Sequence, residues 1–119
     1  ILNRFSTTKY STRSAAASAC AAEGGKFREY AKVLFANQPP EGGAGLSDDK
    51  LIELGASVGL GDSFATCVRD GKYKSWTEYV TDSAGEDGIY STPTVLVAGK
   101  PVRDWSPQNI QAAVEAAAG

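Results

Sequence analysis

The most reactive side chains in this 119-residue chain are two thiols, Cys20 and Cys67, and no histidine accompanies them. Without histidine there is no Cys–His or Ser–His pair to activate a nucleophile, and no imidazole ligand for a metal. The two thiols lie far apart, with no third or fourth ligand nearby and no Cys-x-x-Cys spacing. A zinc site and a paired redox motif are therefore both excluded within the chain. Two readings stay open: two buried reduced cysteines, or one long-range disulfide. The spacing does not choose between them. The adjacent carboxylates Asp48 and Asp49 follow Ser47, where acidic groups suit the start of a helix better than a metal site. No catalytic residue, metal ligand set or cofactor site is assigned from these residues.

A second stretch bears on function through its backbone. Residues 91–97 read STPTVLV, so Pro93 stands after Thr92 at the mouth of a predicted strand. Proline offers no N–H to a sheet ladder and is confined to edges and strand starts. Taken alone, a trans proline opening an edge strand is the ordinary reading, because most X-Pro bonds are trans.

These residues need elements to hold them. The alanine-rich run Ser11–Glu23 has no internal glycine or proline and stops at Gly24-Gly25, which predicts a helix. A second begins at Lys26, with Phe27, Tyr30, Ala31, Leu34 and Phe35 along one face. The stretch NQPPEGGAG is an extended loop. Ser47 caps a helix carrying Leu51, Ile52, Leu54 and Val58. Asp62 is expected to cap a short one with Phe64, Cys67 and Val68 inward, stopped at Gly71. Trp76, Tyr79, Val80 and Ser83 predict the inner face of a fifth, fading at Gly85. Then come a hairpin turning at Ala98-Gly99-Lys100 and a last helix with Ser106 as cap and Pro107 at its first position. Ile110, Ala113, Val114 and Ala117 mark its inner face. Ile1 to Phe5 reads as the end of a sheet strand. A lone hairpin is marginal in water, so a larger sheet is expected.

Composition narrows the classes. A formal charge of −2 gives no reason to expect nucleic acid or an anionic membrane as partner. No apolar run approaches the roughly 20 residues of a membrane span. The chain contains no methionine, and its abrupt Ile1-Leu2 start reads as a cut through an ordered element.

Helical insertion, then Thr-Pro-Thr-Val, then hairpin and closing helix: this order resembles the C-terminal portion of DsbA-like thioredoxin-fold thiol–disulfide oxidoreductases. The stretches YSTRSAAA, KFREYAKVLFANQPPEGGAGLSDDKLIELG and STPTVLVAGKPV are similar to the actinobacterial type of that family. The resemblance implies an α/β thioredoxin-like fold over 1–119, incomplete at its N-terminus. Residues 1–5 would end a strand, 11–86 would form the helical insertion, and 91–119 the proline loop, hairpin and C-terminal helix. It further implies a cis Thr92–Pro93 bond, with Thr92 and Pro93 holding substrate backbone as an added strand. Cys20 and Cys67 would form a structural disulfide, which implies an oxidising, extracytoplasmic location. Membrane anchoring would come only through a missing N-terminal segment. The Cys-x-x-Cys would lie before Ile1, so the chain alone would be inactive. Expected partners are cysteine-containing polypeptides, and either the missing segment or a second copy to complete the sheet. No cofactor, metal or nucleic acid is expected. The rival reading is a redox-inactive thioredoxin-fold module that binds peptides.

Overall fold

A computed structural model describes all of residues 1–119. It contains six α-helices, one 3₁₀ turn and a two-stranded antiparallel sheet. The helices are α1 (Tyr10–Glu23), α2 (Phe27–Ala36), α3 (Asp48–Ser57), α4 (Asp62–Asp70), α5 (Lys74–Glu86) and α6 (Pro107–Ala118). The strands are β1 (Leu96–Val97) and β2 (Lys100–Pro101). The chain separates into two compact units, Ile1–Ser83 and Ala84–Gly119, with the boundary inside α5.

In the first unit, α1 packs on α2, α3 and α4, and α3 packs on both α2 and α4. Small residues on α1 make this possible: Ala16, Ala17, Cys20 and Ala21 are all buried. Ala17, Cys20 and Ala21 meet Tyr30, Leu51, Leu54, Phe64 and Val68 in one apolar cluster. Local signals set the helix ends. The Ser47 hydroxyl accepts from the Lys50 N–H at 3.1 Å, and Asp48 and Asp49 fill the first turn of α3. Gly71 ends α4 in the left-handed conformation at φ 61°, where glycine carries no Cβ penalty. Arg13 joins α1 to the start of α3 through a 2.8 Å ion pair with Asp48.

Four sequence expectations need correction, one of them the inner face of α6, where Val114 and Ala117 are exposed because little packs over that helix. Asn3–Phe5 form a 3₁₀ turn, not the end of a strand. A strand exists only by pairing, and here the backbone bonds locally instead, Phe5 N–H to the Leu2 carbonyl and Ser6 N–H to that of Asn3. Asp62 is the first helical residue of α4 rather than its cap; Gly61 holds the cap position. On α5 the buried residue is Thr77, while Trp76, Tyr79 and Val80 are exposed. Thr77 can be buried because its hydroxyl bonds back to the Lys74 carbonyl, leaving its methyl free to pack.

In the second unit, β1 and β2 pair with Leu96 opposite Pro101 and Val97 opposite Lys100. Ala98 and Gly99 make the turn, both at positive φ, 49° and 78°, as a two-residue hairpin turn with the right twist requires. The Val102 N–H extends the ladder to the Val95 carbonyl at 2.9 Å. Helix α6 packs on β1. Ser106 caps α6 by accepting from the Asn109 N–H, and Pro107 follows at the first helical position.

Candidate functional site

The proline loop lies in the second unit, immediately before β1. The Thr92–Pro93 peptide is cis. Ser91, Thr92, Pro93 and Thr94 are all exposed. The Thr94 hydroxyl donates to the Ser91 carbonyl at 2.6 Å, closing a local turn around the proline. The backbone groups of Thr92 and Pro93 form no interstrand bond; pairing begins at Val95. What this arrangement offers chemically is an open stretch of chain whose carbonyls can accept from an extended polypeptide.

The cysteines lie in the first unit and are joined to each other, with Cα atoms 5.9 Å apart. Both are buried, and no free thiol remains. The bridge links the last turns of α1 and α4. Beside it, the Lys72 ammonium donates to both carboxylate oxygens of Glu23, at 2.7 and 2.9 Å, and the Tyr73 hydroxyl donates to one of them at 3.0 Å. These bonds from Lys72 and Tyr73 hold the Glu23 carboxyl below its ordinary range, and the same Glu23 bond raises Lys72. No group of three or more Cys, Asp and Glu side chains gathers as a metal ligand set.

A family model described as Thioredoxin matches residues 1–116. The chain belongs to the thioredoxin family. No curated protein and no solved structure gave a significant match.

Within this thioredoxin-family chain, sequence reasoning brought Cys20 and Cys67 forward and the structure joins them. It missed the Glu23–Lys72–Tyr73 cluster. No local signal could have found it, because the partners are 49 and 50 residues apart in sequence. Trp76 and Trp105 are about half exposed, at 42% and 49%, so neither is a core residue. No helix is long and apolar enough to cross a membrane.

Proposed function

We propose that this chain is the C-terminal, substrate-holding part of an extracytoplasmic, DsbA-like thiol–disulfide oxidoreductase. Its redox Cys-x-x-Cys would belong to a segment preceding Ile1. Thr92 and Pro93 would hold the backbone of a cysteine-containing substrate beside that pair. The observation that carries this reading is the family match over residues 1–116. The exposed Thr92–Pro93 loop ahead of β1 fits the substrate-holding role. The buried Cys20–Cys67 bridge suits an oxidising compartment, where such long-range disulfides persist.

The same reading accounts for the apolar surface. Phe27, Phe35, Tyr79 and Leu96 stand exposed, and the sheet has only two strands. Large exposed apolar area and open strand edges are normally covered. In this proposal the preceding segment, or a second copy, supplies the remaining strands and the active-site helix.

Titration of the isotope-labelled chain with an extended peptide carrying a blocked cysteine tests the binding half. Amide shifts are expected at Ser91–Val95, with no acceleration of insulin reduction by dithiothreitol. Shifts confined to the helices of the first unit, or turnover by this chain alone, would overturn the reading. A peptide-binding module without redox activity is the second reading, which the same exposed Thr92–Pro93 loop supports. Adding the segment encoded upstream separates the two: turnover supports the oxidoreductase, whereas binding without turnover supports the module.

A further inference from the structure

The surroundings of the Cys20–Cys67 bridge are those that a reactive thiol avoids. Cys20 lies in the last turn of α1 and Cys67 in the last turn of α4. The negative poles of two helices therefore meet at the sulfurs. Redox-active cysteines use the opposite pole, where a helix N-terminus stabilises the thiolate. Each cysteine is also followed, three residues on and on its own helix, by a carboxylate: Cys20 by Glu23, Cys67 by Asp70. Positions i and i+3 share a helix face. Both carboxylates line, together with both cysteines and Phe64, one cavity of about 590 Å³. Lys72 lines it as well, but its ammonium is taken by Glu23. Asp70 forms no ion pair.

We propose that Asp70, the carboxylate left unpaired once Lys72 offsets Glu23, insulates the Cys20–Cys67 disulfide from thiol–disulfide exchange through the cavity that both cysteines line. This goes beyond the proposed function and does not depend on it. Exchange would begin with an external thiolate attacking the sulfur of Cys67, the more exposed of the two at 7% against 3%. A new sulfur–sulfur bond forms, the Cys20–Cys67 bond breaks, and its electron pair leaves on Cys20 as a thiolate. A second external thiolate then attacks the mixed disulfide and expels the Cys67 thiolate. The two external thiols end as a disulfide, and the cysteine pair has gained two electrons and two protons. Each stage places negative charge beside the unpaired Asp70 carboxylate and the last turns of two helices, with Glu23 offset by Lys72. Attack and departure are both opposed. The consequence is a brace kept out of exchange with other thiols.

The test follows reduction of the intact chain by alkylation and mass spectrometry. Mercaptoethanesulfonate, mercaptoethanol and cysteamine, which are anionic, neutral and cationic, are compared at equal thiolate concentration. Rates are normalised to those of an unstructured peptide disulfide. One unit charge at about 6 Å in water is worth about threefold in rate, so the cationic reagent should outrun the anionic one by about tenfold. The gap should close in 1 M salt, where the Debye length is about 3 Å. Asp70→Asn should speed reduction by mercaptoethanol about threefold without lowering the melting temperature, because a carboxylate at a helix C-terminus opposes the dipole. A merely structural aspartate would give faster reduction only with lower stability. Equal normalised rates, an unchanged Asp70→Asn rate, or rates independent of thiol concentration would overturn the proposal.

Discussion

Tyr30 carries two roles in one side chain. Its ring is fully buried and meets Phe64 edge-on at 5.2 Å and 71°. Its hydroxyl donates to the Leu51 carbonyl at 3.0 Å, tying α2 to α3. Burial, with a smaller contribution from Tyr10, raises its pKa well above the ordinary tyrosine value. A proton held more tightly when folded gives stability that is fully present below the unfolded tyrosine pKa of about 10. That stability is lost as pH rises from there toward the raised folded value. Tyr30→Phe should therefore cost about 1 kcal/mol near neutrality and weaken the alkaline fall in stability. Urea midpoints measured from pH 8 to 11 check this, and parallel alkaline limbs in both proteins would contradict it. Periodicity placed Tyr30 on the inner face of α2. The hydroxyl's partner, 21 residues away, was not legible, because only packing decides which carbonyl a buried phenol meets.

At the scale of elements, α3 and α4 are held close by an absence. Gly55 is buried in α3, and a Cβ built there would collide with the Phe64 ring. Alanine would gain about 1 kcal/mol in helix propensity, but overpacking a filled core costs about 1–3 kcal/mol. The clash should win, because the Phe64 ring is itself fixed against Tyr30. Gly55→Ala is expected to lower stability by about 1 kcal/mol net, read from chemical denaturation. An unchanged or higher midpoint would show that the ring can move aside. Helix existence and ends were legible here: Ser47, Gly71 and Ser106-Pro107 act as caps and stops through local bonds that need no tertiary context. The inward face of α5 was not. Apolar spacing picked Trp76, Tyr79 and Val80, whereas the buried contact falls on Thr77. Spacing names a stripe, but only neighbouring elements decide which stripe is covered.

For the whole molecule, the first unit owes much of its stability to one covalent link. The bridge spans 47 residues, from α1 to α4. Closing such a loop in the unfolded chain contributes about 4 kcal/mol in the chain-entropy model. That is a large part of the roughly 5–15 kcal/mol by which domains are stable. Replacing both cysteines by serine should remove about 4 kcal/mol, seen as a large drop in the melting temperature of the helical unit. A loss under about 1 kcal/mol would show that the denatured state, not the loop, sets the balance. The second unit has no comparable anchor. None of residues 84–119 is buried, so its hairpin and helix rely on partial contacts.

The sequence by itself determined the helices, the hairpin turn at Ala98-Gly99 and the position of Pro93 before β1. Capping, glycine and proline preferences act within a few residues and survive any packing. The resemblance also reached the thioredoxin family that the match over 1–116 establishes. Tertiary structure decided the rest. It closed the Cys20–Cys67 bridge between two readings that spacing had left open, and it gathered Glu23, Lys72 and Tyr73 across half the chain. It also made residues 3–5 a turn, since a strand needs a neighbour to pair with. These outcomes depend on which surfaces meet, and no local pattern of residues carries that information.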